Sequence, residues 1–266
     1  MKAGWRAAAA ALLLAAAAPA AEDGNAVLER ARALNRGERY WNDRTQRMRL
    51  TIVDRRGNEH RRELEVRTKR YGPEASRSIM FFHAPPHVEG IGFLQWVDPR
   101  GADHQWLWMP ALKRVRQISQ GARTESFVGT DFSYEDLAIM AEALDWGSEE
   151  ASAAPAGEDV IDGQRCAVIE LRPTPAADVH YGTVRLWLGT EDYVVHKYEF
   201  RDASGEPVKT LALSDVRVES GIPSAHHLEM RNERTGGRTV AELSELAFNR
   251  GLSDEEFTQR RLEKGL

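Results

Sequence analysis

Cysteine is nearly absent from this chain of 266 residues. Cys166 stands alone, so no disulfide forms within the chain and stability must come from a buried core. Long apolar runs are scarce as well. Beyond the N-terminal segment Ala7–Ala18, no stretch is long and apolar enough to be a transmembrane helix. Basic charge is not in excess: 36 Lys and Arg face 41 Asp and Glu, which argues against general nucleic-acid binding. Catalytic signatures are missing too. The chain has no Gly-x-Ser-x-Gly elbow, phosphate-binding glycine loop, dinucleotide fingerprint or His-Glu-x-x-His zinc motif. Pro85-Pro86 lies between His83 and His87 and forbids the helix that would align them as metal ligands. His226 and His227 point to opposite faces of a strand. No metal or cofactor is expected.

What is present begins with an export signal. Lys2 and Arg6 make a short positive region, Ala7–Ala18 an apolar run, and Ala18-Pro19-Ala20 a small-x-small cleavage pattern. A dozen mostly Ala residues are too short to span a bilayer, so cleavage after Ala20 or Ala21 is expected. Residues 1–20 are then a signal peptide, and a soluble periplasmic protein follows. Removing Lys2 and Arg6 leaves 34 basic against 41 acidic side chains.

Asn25 caps an expected helix through Arg36, with Val27, Leu28, Ala31 and Leu34 as its apolar stripe and Gly37 as its end. From Arg44 the period changes to two. Met48, Leu50 and Ile52 alternate with charged neighbours, and strands then follow one another through short turns such as Arg56-Gly57-Asn58 and Pro99-Arg100-Gly101. A short helix over Tyr134–Leu144, with Ser133 as cap, interrupts them. Ser148–Gly157 reads as a weak strand or an exposed connection, not as a domain linker. Strands resume from Asp159 to Phe248, and Ser253 caps a last helix through Leu262. The fold class is mainly β (α+β), a single domain over 21–266. About ten or eleven antiparallel strands form a strongly curved sheet or half-open β-barrel, with helices over one opening.

One stretch, His104–Leu137, changes character twice. His104, Trp106 and Trp108 alternate with Gln105, Leu107 and Met109, which puts both indoles on one strand face. Arg114 and Arg116 follow on a basic return strand, and Phe127–Leu137 then presents Phe127, Phe132 and Tyr134 beside Asp131, Glu135 and Asp136, with Gly121 and Gly129 loosening the backbone. That composition suits a lid over an apolar pocket. The carboxylates have two readings, acid–base chemistry or capping of a helix start, and capping is preferred because acidic residues are common there.

The run Gln105-Trp106-Leu107-Trp108-Met109-Pro110-Ala111-Leu112-Lys113-Arg114-Val115-Arg116, then Ser126-Phe127-Val128-Gly129 and Asp131-Phe132-Ser133-Tyr134-Glu135-Asp136-Leu137, resembles the LolA-like outer-membrane lipoprotein-sorting family. Val160-Ile161-Asp162-Gly163 and Val168-Ile169-Glu170-Leu171 are similar to the family's next strand pair, so the resemblance spans most of the chain after the signal. It implies a half-open barrel closed by helices over an apolar cavity that takes the acyl chains of a lipoprotein or another lipid. It also implies an inner-membrane exporter of the resistance-nodulation-division class as partner.

The expected acyl cavity comprises Trp96, Trp106, Trp108, Phe127, Phe132, Tyr134, Leu137 and Met140, with Gly129 as the hinge of its lid. Arg114, Arg116 and Arg123 are candidates for an anionic headgroup, or else a solvated basic face. Each tryptophan alone reads as core filler; the spacing of Trp106 and Trp108 before the lid is what favours a shared cavity. Trp106→Asp is then expected to weaken acyl binding far more than Arg62→Asp. The expected protein is a monomeric, non-enzymatic carrier. Competing readings are an envelope docking module without lipid, and a hydrolase using Asp131 and Glu135.

Overall fold

The computed structural model describes residues 24–98 and 104–265; the expected signal peptide and the Pro99-Arg100-Gly101 turn lie outside them. Helix α1 (Gly24–Arg36) comes first and buries Val27, Leu28, Ala31 and Leu34, the stripe read from its sequence. A first meander follows: β1 (Asp43–Val53), β2 (Glu59–Arg70), β3 (Ser76–Ala84), β4 (Gly92–Val97), β5 (His104–Met109) and β6 (Arg114–Gln117). Helix α2 (Tyr134–Glu142) stands between this meander and the next. The second runs through β7 (Ala151–Ile161), β8 (Gln164–Pro173), β9 (Thr183–Gly189), β10 (Val195–Arg201), β11 (Pro207–Glu219), β12 (Ile222–Asn232) and β13 (Arg238–Phe248). Helix α3 (Gln259–Lys264) closes the chain.

The strands form one antiparallel sheet in which β1 pairs with β13, and β6 and β7 are its two edges. The sheet curves but does not close into a barrel. Thirteen strands stand where about ten or eleven were expected. The edge strand β6 is the basic return strand read from Arg114 and Arg116, whereas the polar, exposed β7 takes in residues 151–157, which read as a weak strand or a connection because they show little of the alternation that marks a half-buried strand. Both edges are blunted against further pairing, β6 by its length and β7 by Pro155 and a register shift before Gly157.

The inner face carries the main core: Leu64, Val66, Phe82, Phe93 and Leu107 from the first meander, with Ile169, Leu186, Leu211, Met230 and Ala241 from the second. On the outer face of β3–β5, Ile79, Phe81, Leu94 and Trp106 form a second cluster, covered by Phe257 and by Leu262 of α3. The fit there is close. A Cβ at Gly92 would stand 2.7 Å from both Phe81 and Leu262, so only glycine admits the helix to the strand. The C-terminal segment is held by polar contacts as well. The Asp43 carboxylate accepts the amides of Arg250, Gly251 and Leu252, and Trp96 Nε1 donates to the Phe257 carbonyl at 2.9 Å.

Candidate functional site

Because β6 and β7 are opposite edges, the segment 118–150 that joins them must cross the open side of the curved sheet. It does so with its aromatic residues turned inward. Phe127, Phe132 and Tyr134 are buried. The Phe127 ring lies 5.2 Å from Phe93, 5.8 Å from Phe82 and 5.7 Å from Tyr134, centroid to centroid, spacings at which aromatic pairs attract. Side chains therefore fill the space beneath this end of the lid.

The carboxylates fix the lid in place. Ser133 and Asp136 form a reciprocal capping box at the start of α2. Asp136 also accepts Lys209 Nζ at 2.6 Å and the Tyr181 hydroxyl at 2.8 Å, tying α2 to β11 and to the approach to β9. Burial and the Asp136 charge push the Tyr181 phenol far up. Asp131 accepts the Thr239 hydroxyl at 2.8 Å from β13, and burial raises its carboxyl above the ordinary value. Glu135 accepts the His180 amide and lies 3.3 Å from its Nδ1; burial raises this carboxyl too. Asp131 and Glu135 are thus engaged by different elements rather than facing one another as a working pair.

A second kind of contact holds the turn before the helix. Arg62, on the inner face of β2, donates to the Val128 carbonyl, and its guanidinium lies 6.0 Å from the Phe82 ring. Val128 has φ +47°, a left-handed conformation that is strained for a β-branched residue. Gly129 follows at φ +74°, where a Cβ would come within 3.3 Å of Arg62 Nη2. The turn is therefore a strained latch with a glycine beside it.

The structure divides the expected cavity. Phe127, Phe132 and Tyr134 face the inner side, and half-buried Leu137 and Met140 pack against the same core. Trp96, Trp106 and Trp108 lie on the opposite face, in the cluster under α3, so they cannot line a cavity with the lid. The register gives the reason: Phe93 pairs with Leu107 toward the lid, while Leu94 pairs with Trp106 away from it. Two of the three basic candidates have partners of their own. Arg116 pairs with Glu125 at 3.1 Å on the edge of the sheet, Arg123 is buried against Asp178 at 3.1 Å, and Arg114 is exposed on β6.

Arg62, Lys209 and Thr239 went unread in the sequence. Arg62 carried a signal, since it shares the inward parity of Leu64 and Val66 on β2. The inner face also has an apolar strip of Met48, Leu213 and Leu243, which pack against the same core as Leu137 and Met140 of α2 and are only partly covered. A cavity of about 360 Å³ opens at this strip, lined by Met48, Leu64 and Leu243 together with Arg47, Arg49 and Glu63, and one of about 250 Å³ opens among Ile79, Phe81 and Arg261; the lid lines neither.

A family model described only as that of an uncharacterized protein matches residues 74–264. The chain belongs to that family. Its resemblance to LolA-like outer-membrane lipoprotein-sorting proteins extends to the structure. A domain from Vibrio parahaemolyticus assigned as an outer membrane lipoprotein-sorting protein is 28% identical, with a TM-score of 0.79 over 91% of this chain and 100% of that one. A DUF1329 family protein from Desulfovibrio piger has the same fold at 24% identity and a TM-score of 0.81, over 90% of this chain and 97% of its own. So does a LolA superfamily protein from Nitrosomonas europaea, at 20% identity and a TM-score of 0.68, over 91% of this chain and 100% of its own. No curated protein matches the chain.

Proposed function

We propose that this LolA-like protein is a monomeric, non-enzymatic periplasmic carrier that shelters acyl chains of a lipid or lipoprotein between the inner face of its sheet and the 118–150 lid. The observation that carries the reading is the partly covered strip of Met48, Leu213 and Leu243, on the same core as Leu137 and Met140 of a lid whose turn is strained and latched. An acyl chain starts on the strip and extends as the lid lifts, taking the places of Phe127 and Phe132 against Phe82 and Phe93. Each buried methylene is worth roughly 0.8 kcal/mol, so about ten of them contribute roughly 8 kcal/mol toward the polar ties and aromatic burial that a lifted lid gives up. The tryptophans of the outer face take no part. An exporter of the resistance-nodulation-division class supplies the cargo, as the family resemblance implies.

A fluorescent fatty-acyl probe tests this. Saturable uptake at one probe per chain, competed by unlabelled lipid, is the expected result; a protein that never takes up or protects the probe contradicts it. One observation favours a second reading, an envelope docking module without lipid: the aromatic end of the lid is already filled by side chains. Under that reading Leu213→Asp, in the strip, leaves probe behaviour unchanged; under the carrier reading it abolishes uptake.

A further inference from the structure

One end of the inner face is polar. In register across β1 to β5 stand Arg44, Thr68, Ser78, Gln95 and Gln105. Most of this row satisfies itself: the Thr68 and Ser78 hydroxyls are 3.0 Å apart, and Gln105 Nε2 lies 3.3 Å from Gln95 Oε1 and 2.9 Å from the Tyr134 carbonyl. Arg44 is different. Its Nε is buried without a partner, although the residue as a whole is only half-buried. Its company is the Trp41 ring, 5.1 Å away, and a second cation, Arg70, 5.4 Å from the same ring. Burial first, and then the like charge of Arg70, hold the Arg44 guanidinium down to about 10. Next inward on β1, buried Gln46 leaves its Oε1 unpaired while its Nε2 meets Met48 Sδ at 3.4 Å. The acidic groups nearby are occupied elsewhere. Asp43 faces the other side of the strand and holds three backbone amides, and Asp145 pairs with Arg36 at 3.1 Å.

A half-buried guanidinium whose Nε has no partner and whose nearest neighbour is another cation costs stability. Arginine is also the side chain best shaped to grip the oxygens of a phosphate or carboxylate. Arg44 and Met48 lie on the same face of β1, roughly 13 Å apart along the strand. We propose that Arg44 binds the anionic oxygens of the carried amphiphile, whose acyl chain then runs past Gln46 onto Met48, Leu213 and Leu243; Arg70, held by the Asn35 and Pro73 carbonyls at 3.2 and 2.9 Å, adds only its positive charge nearby. This assignment rests on the carrier reading, and it places the headgroup away from Arg114, Arg116 and Arg123.

The test compares the protein with Arg44→Met and Arg44→Lys, using phosphatidic acid, diacylglycerol with the same acyl chains, and inorganic phosphate alone. Arg44→Met is expected to fold and to melt no lower than the parent, because it removes a buried, unpartnered Nε and the repulsion from Arg70. It should bind phosphatidic acid about tenfold more weakly or worse, the worth of a charge-assisted hydrogen bond, and leave diacylglycerol binding unchanged. Arg44→Lys should keep part of the preference. Phosphate alone should raise the melting midpoint of the parent and not of Arg44→Met. Equal loss for both lipids, or a parent that takes diacylglycerol as readily as phosphatidic acid, overturns the headgroup site and leaves the carrier reading standing. If neither lipid binds the parent, the carrier reading falls and phosphate alone decides Arg44. A shift lost in Arg44→Met keeps it as an anion site, and no shift overturns it.

Discussion

At the residue scale, the lid is held by single contacts whose removal has opposite effects. Among the described residues Lys209 is the cation paired with the fully buried Asp136 carboxylate, so Lys209→Met strands that charge. A loss of about 3–5 kcal/mol is expected, a fall of roughly 10 °C in the calorimetric midpoint. Glu135→Gln should do the reverse. Burial raises the Glu135 carboxyl above its unfolded value, so between the two values the folded state holds more protons, and stability falls as pH rises through that window. The amide keeps an acceptor for the His180 N–H without the buried charge, so the variant should melt higher than the parent at neutral pH and about equally below the carboxylate range. A lower midpoint at neutral pH would show that the charge is worth more to the lid than its burial costs. Arg62 shows how far sequence reaches at this scale. Its inward parity on β2 was legible, but Val128 lies 66 positions away and nothing local announces that pairing. Trp106→Asp against Arg62→Asp is therefore the wrong contrast for acyl binding, since Arg62 holds the lid and Trp106 does not touch it.

The elements were legible where burial is one-sided. The α1 stripe, the Ser133 cap of α2 and the alternation of β1 and β2 all follow from period and capping chemistry. Strand β5 is apolar on both sides, with Leu107 inward and Trp106 outward, and a period of two does not say which side faces the lid. That choice is made by α3, some 150 residues later in the chain, which covers the indoles. Trp106→Ala should accordingly cost about 3–5 kcal/mol and loosen α3. Increased hydrogen exchange over 250–265, with acyl-probe affinity unchanged, is the expected signature. A loss of affinity without loosened exchange would return Trp106 to the cavity wall. Arg62→Leu belongs to the lid instead. It should cost only about 1 kcal/mol and speed both uptake and release of the probe, as stopped-flow fluorescence would read, because it frees the strained turn at Val128.

For the whole molecule, the two meanders meet only at the β1–β13 seam within the sheet, and the lid bridges their free edges. Lifting the lid opens the inner face without breaking any strand pairing, which is the property a reversible carrier needs. The antiparallel, incompletely closed sheet was readable from the turn spacing and strand number, whereas the β1–β13 seam was not, because pairing between the first and last strands leaves no local mark. The account stands or falls on what the inner face holds. Native mass spectrometry of the protein, isolated from the periplasm of a double-membraned bacterium without detergent, measures this directly. The predicted result is a fraction of chains carrying one acidic acyl lipid, released on unfolding and depleted in Leu213→Asp. A protein that always flies at its bare polypeptide mass, and stays bare after incubation with phosphatidic acid, would contradict it.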